Sequence, residues 1–139
     1  MALPPVADVL WKSGMSTIHS VTFDCENAPA LARFWAEVLD GYEVRAYDDA
    51  EIARLAEEGL TPDTDPNVMV DGPGPSLCFQ QVPEPKSAKN RVHLDMTTAD
   101  RPGEIERLVG LGASVHHEGE GWTTLLDPEG NEFCVSDGW

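Results

Sequence analysis

Basic side chains are scarce in this 139-residue chain: nine Lys and Arg stand against 25 Asp and Glu, a formal charge of −16. A surface of that sign repels phosphate backbones and anionic lipid, so neither a nucleic-acid partner nor a membrane partner is expected. Cysteine is scarce as well. Cys25, Cys78 and Cys134 are odd in number and far apart, which argues against a disulfide framework and for a reducing, cytoplasmic setting. Long apolar runs are missing: the richest stretch, Ala28 to Leu39, is broken by Arg33 and Glu37 and falls short of the ~20 residues that cross a bilayer. The opening MALPPVADVLWKSG has no basic start and no small-residue cleavage site, so it does not read as a signal peptide. With 41% hydrophobic and 24% charged residues, one folded domain is the expectation.

The charge that is present is unevenly placed. Residues 48 to 71 carry eight acids against Arg54 alone, which reads as a solvated face. Lys86, Lys89 and Arg91 put a third of the basic residues into one short loop. Glycine-rich phosphate chemistry is not indicated, because DGPGPS lacks a lysine and a following helix.

Residues 1 to 14 read as a peripheral extension, with Leu10 and Trp11 docking on the body. A strand is expected from Ser16 through Phe23. Asn27 then caps a helix with Pro29 in its first turn, an apolar stripe of Leu31, Phe34, Trp35, Val38 and Leu39, and Gly41 at its end. Tyr42 to Tyr47 reads as a strand, Asp48 to Leu60 as a short amphipathic helix, and Val68 to Val70 and Leu77 to Val82 as strands. The pattern then returns. Arg91 to Thr97 is a strand, Asp100 caps a helix with Pro102 in its first turn and Gly112 at its end, and three more strands follow: Ala113 to Glu118, Trp122 to Leu126 and Glu132 to Ser136.

A shift of 74 positions lays His19 on His93, Leu31 on Ile105 and Arg33 on Arg107. Four strands and one helix cannot cover both faces of a sheet, so two such units are expected to pair.

Three segments carry a family resemblance. IHSVTFDCENAPALARFWAEVLDGY resembles the opening strand and helix of the vicinal oxygen chelate superfamily, the glyoxalase and bleomycin-resistance-like proteins. NRVHLDMTTAD is similar to the strand that opens its second module, and LLDPEGNEFCVSD to its last hairpin. LCFQQVPEPKSAKNRVHLD is particularly like the bacterial glyoxalase-like subgroup. The resemblance implies an α+β fold: residues 15–137 form one domain of two βαβββ modules, 15–82 and 91–137, paired into a barrel-like cleft, commonly in a homodimer.

It also implies metal positions on the first and fourth strands of each module. Carried over, these fall at His19, Gln80 or its neighbour Gln81, His93 and Cys134. The amide and the thiol stand where carboxylates are usual, and the softer donors favour zinc over magnesium or manganese. Glu132, two residues from Cys134 on the same strand face, is a substitute carboxylate or a group at the cleft mouth. Asp95 lies two residues after His93 and can orient its imidazole or act as a base. The catalytic candidates are therefore His19, His93 and Asp95, and the ligand-binding candidates Trp122, Gln80 and Glu132. His116 and His117 should point to opposite faces, while Cys25 and Cys78 read as small buried hydrophobes.

Two functions follow from the resemblance. One is a lyase, isomerase or dioxygenase acting on a small oxygenated molecule. The other is a metal-free, non-catalytic protein that binds a drug or antibiotic, with Trp122 stacking on a cationic ligand. Paired histidines favour the first; missing carboxylates favour the second.

Overall fold

The computed structural model describes residues 14–139, so the proposed docking of Leu10 and Trp11 lies outside the described residues. Two four-stranded sheets form the frame. The first module runs β1 (Ser20–Cys25), α1 (Ala28–Val38), β2 (Glu43–Val44), α2 (Asp49–Glu57), β3 (Asn67–Asp71) and β4 (Ser76–Gln81). The second runs β5 (Asp95–Thr97), α3 (Arg101–Leu111), β6 (Ser114–Glu118), β7 (Trp122–Leu126) and β8 (Glu132–Ser136). Strand orders are β1-β4-β3-β2 and β5-β8-β7-β6, with the first pair of each sheet parallel and the rest antiparallel. This is the expected pair of βαβββ modules, with α2 inserted in the first.

Strand alternation divides each sheet into a core face and an open face. Val21, Phe23 and Cys25 on β1 and Leu77 and Phe79 on β4 turn inward under α1. Ser20, Thr22, Asp24, Ser76, Cys78 and Gln80 therefore share the opposite face. In the second sheet Leu94, Met96, Leu125, Phe133 and Val135 turn inward. His93, Asp95, Thr124, Glu132 and Cys134 are left on the open face.

The two long helices, α1 and α3, begin alike. The Asn27 Oδ1 accepts from Ala30 N at 3.1 Å, and the Asp100 Oδ1 accepts from Gly103 N at 3.1 Å. Each cap supplies a partner for a backbone donor that the helix start leaves open, and each is followed by a proline whose missing N–H costs nothing there.

One core spans both modules. Trp35, Phe79 and Phe133 are almost fully buried; the Trp35 and Phe133 ring centres are 5.0 Å apart, as are those of Phe23 and Phe79. Each such ring contributes about 2–3 kcal/mol by burial. Module two also grips α1 at both ends. Glu129 accepts from the Glu26 and Asn27 N–H groups at 2.6 and 3.1 Å, and Arg107 on α3 donates to the Glu37 and Val38 carbonyls at 2.8 and 3.1 Å. These are the charges a helix macrodipole favours at its start and end.

The structure moves the first expected strand, Ser16 to Phe23, to Ser20–Cys25 and shortens two others. Of Tyr42 to Tyr47 only Glu43–Val44 pairs, because after one further bond from Arg45 N to Met69 O the chain turns to seat the Tyr47 hydroxyl on Asp65. Burial and that carboxylate raise the Tyr47 pKa. In the second module only Asp95–Thr97 is regular, and Arg91 to Leu94 is a lead-in. The two histidines of β6 are both exposed, and a register shift between Val115 and His117 breaks the alternation that would have separated them. The basic loop between the modules meets the second one: Lys86 pairs with Glu132 at 3.2 Å, while in the acidic segment Arg54 pairs with Glu51 at 2.6 Å. No helix among the described residues is long and apolar enough to cross a membrane.

Candidate metal and ligand site

The parallel pairing of β5 with β8 sets Asp95 opposite Cys134. His93, two residues earlier on the same face, brings its Nε2 to 3.1 Å from Asp95 Oδ1. One donor atom from each of His93, Asp95 and Cys134 lies within 4.8 Å of the others. His93 and Asp95 are exposed, whereas Cys134 is buried with its Sγ 3.3 Å from Thr124 Oγ1. A nitrogen, a carboxylate and a sulfur thus converge at a solvent-reachable point, the donor chemistry of a transition-metal site. The mixed set fits a soft divalent ion better than a hard one.

The other sequence-based candidates fall elsewhere. His19 precedes β1, is exposed, and does not join this group among the described residues. A separate polar cluster surrounds Asp71 on β3. There the Arg45 guanidinium at 2.7 and 2.9 Å and the Ser76 hydroxyl at 2.7 Å hold the Asp71 carboxyl down at about 2, with His19 a minor contributor. Gln80 is exposed on the open face of the first sheet, opposite Asp24. Glu132 is occupied: it accepts from Lys86 Nζ at 3.2 Å and Asn90 N at 2.9 Å. Burial opposes its ionisation, but the Asn90 N–H and the Lys86 ammonium prevail and hold its carboxyl below the ordinary value. Trp122 is half-buried, its ring 5.3 Å from that of His117.

The internal repeat explains this distribution. Its offset is 73 positions, one less than the sequence comparison suggested: Asn27 caps as Asp100 does, α1 begins and ends as α3 does, and Pro29 falls on Pro102. On that offset Ser20 corresponds to His93 and Thr22 to Asp95. Thr22 pairs with Cys78 as Asp95 pairs with Cys134, so Cys78 is the counterpart of Cys134. Sequence reasoning placed Cys78 in the core. Apolar Leu77 and Phe79 on either side were the signal that it faces outward.

Beside His93 a cavity of about 1030 Å³ opens between the free edge of β1, the crossover from Val82 to Leu94 and the turn Pro128 to Glu132. Phe23 and Trp35 contribute its apolar lining, and Arg91 and Glu84 reach it from the crossover. That volume is ample for a small organic molecule.

Residues 20–136 match the model of a family described as a glyoxalase-like domain. No curated protein matches. Among solved structures, a point mutant of the fosfomycin resistance protein FosX of Listeria monocytogenes, complexed with Mn(II) and 1S,2S-dihydroxypropylphosphonic acid, superposes with a TM-score of 0.63 at 13% identity, over 90% of this chain and 92% of that one. FosX from Mesorhizobium loti gives 0.63 at 17% identity, over 91% and 93%. A glyoxalase/bleomycin resistance protein/dioxygenase family enzyme from Burkholderia phytofirmans PsJN gives 0.57 at 17%, over 86% and 97%. At such identities the likeness concerns the fold.

Proposed function

The chain belongs to the glyoxalase-like domain family, and from that premise we propose that it is a metal-dependent enzyme acting on a small oxygenated organic molecule, in the lyase, isomerase or dioxygenase classes. The observation that carries this reading is the convergence of His93, Asp95 and Cys134 on an open sheet face beside a cavity of about 1030 Å³. Donors gathered on one side leave positions for a substrate, as catalytic metal sites do and closed structural sites do not.

The ion that suits imidazole and thiolate together is zinc. When bound, it would polarise a substrate oxygen and stabilise negative charge developing there. The chain's own residues do the rest. Asp95 stands beside His93 as a further donor, its Oδ1 3.1 Å from the His93 Nε2, and Thr124 steadies the Cys134 sulfur. Of the ligand-binding candidates, Glu132 lines the cavity and Trp122 and Gln80 do not. That the Listeria FosX holds Mn(II) supports a divalent ion in this fold, and the sulfur donor is the reason to expect a softer one here.

The reading includes a homodimer. β1 and β5 are both edge strands, and Met15 (66% exposed), Ile18 (75%) and Val92 (76%) stand on the segments leading into them. Unpaired edges with apolar neighbours are surfaces that a second copy covers.

Elemental analysis of protein purified without a histidine tag, followed by a turnover screen on small oxygenated compounds, tests the proposal. About one zinc per chain with turnover is expected. Ligand binding without metal or turnover would favour the drug-binding alternative instead.

A further inference from the structure

We infer that the metal site is contained within the β5–β8 sheet, with Asp95 as its carboxylate ligand and no donor from the first module. This rests on the metal-dependent reading above and deepens it. Three observations carry it.

The first is register. Asp95 sits directly opposite Cys134, with His93 one side-chain repeat away on the same face, so all three donors come from two neighbouring strands. The second is spacing. Zinc bonds of ~2.0 Å to nitrogen and oxygen place tetrahedral neighbours ~3.3 Å apart, and the 3.1 Å between His93 Nε2 and Asp95 Oδ1 is close to that edge. The third is what faces outward in the first module at the corresponding positions: Ser20 and Thr22, a pair of hydroxyls, where the second module has imidazole and carboxylate.

Charge is consistent with the assignment. Ionised Asp95 and Cys134 with neutral His93 balance a dication, so no further anionic ligand is required. Gln80 lies two residues beyond Cys78 along β4, about 7 Å further along the strand. His19 is exposed on the segment that precedes β1. His19 does not join the donor group among the described residues.

Cobalt(II) is the probe, because sulfur-to-cobalt charge-transfer absorption in the near ultraviolet reports each thiolate ligand without any assay of turnover. The wild-type protein should show the band and Cys134→Ser should lose it. Asp95→Asn should weaken cobalt affinity at least tenfold with the fold intact by circular dichroism. Asp95→Cys should raise the band intensity about twofold, which a residue that merely orients His93 from behind would not do. His19→Ala and Gln80→Ala should bind as the wild type does. A tenfold loss in either of those two, or an unchanged band in Asp95→Cys, overturns the assignment while leaving the metal reading intact. Failure of the wild type to bind cobalt at all overturns both.

Discussion

Replacing Asp127 tests what joins the two modules. Its carboxylate is 3% exposed and accepts from Trp35 Nε1 at 3.1 Å, Glu129 N at 2.9 Å, Asn131 N at 3.0 Å and Asn131 Nδ2 at 2.8 Å. Hydrogen bonds to an ionised acceptor contribute ~1.5–3 kcal/mol each, and a buried donor left without one costs ~1–3 kcal/mol. Simple addition would overstate the loss, since water can enter beside Asn131 and the turn can relax. Asp127→Ala is therefore expected to cost about 3–5 kcal/mol. Trp35→Phe, which removes one donor and keeps the ring stack, should cost about 2 kcal/mol. In a double-mutant cycle the pair should couple by ~1–2 kcal/mol. Urea unfolding followed by far-ultraviolet circular dichroism measures all three, and for a chain of this size the alanine variant should melt roughly 10–20 °C lower. An Asp127→Ala protein within ~1 kcal/mol of wild type would refute the reasoning, because four donors would then have been satisfied without their acceptor.

Three other outcomes are expected. Burial, with the Glu129, Asp24 and Asp127 charges behind it, pushes the Cys25 thiol up to about 12; at pH 8 a disulfide reagent should modify the half-buried Cys78 well before Cys25, and early labelling of Cys25 would contradict its placement. The Asp71 carboxyl lies at about 2 instead of 3.8, so its ion pair stabilises the fold above the ordinary value and that contribution fades as pH falls through about 2. Because Asp71 and Arg45 are half-exposed the effect is below ~1 kcal/mol, and the stability gap between Asp71→Asn and wild type should close between pH 4 and pH 2; a gap independent of pH would count against the pair. Sedimentation at tens of micromolar should show a homodimer, strengthened by salt if the −16 charge of each chain opposes association, and a monomer at both low and high salt would sink that part of the proposal.

Much of the fold was legible from local chemistry. Asn27 with Pro29 and Asp100 with Pro102 announced both long helices, because a capping oxygen before a proline satisfies the same backbone need wherever it occurs. Gly112 ends α3 with a φ of 121°, a conformation that costs a side chain. What could not be read was long-range. The brevity of β2 depends on where Asp65 waits for the Tyr47 hydroxyl, and the capture of Glu132 depends on Lys86 and Asn90 arriving from a distant loop. The staple between Trp35 and Asp127 joins residues 92 positions apart, and neither residue type alone signals it.

The candidate site turned on a single position of register. Matching histidines suggested an offset of 74 and hence a symmetric pair, His19 with His93. Apolar phase suggests otherwise: Val21 and Phe23 turn inward in one module and Leu94 and Met96 in the other, and these coincide at 73 but not at 74. A one-residue slip moves every side chain to the opposite face of a strand, so phase is the stricter guide to which residues can meet. Read by phase, the two modules are alike as scaffolds and unlike as chemistry. One presents imidazole, carboxylate and thiol; the other presents two hydroxyls and Cys78, with the Arg45–Asp71 pair in the same sheet. A site built from one module needs only the short β5–β8 pairing to keep its geometry, and the buried staple at Asp127 holds the turn that leads into β8. The pair that joins the modules, Trp35 and Asp127, is therefore distinct from the residues that present donors, His93, Asp95 and Cys134.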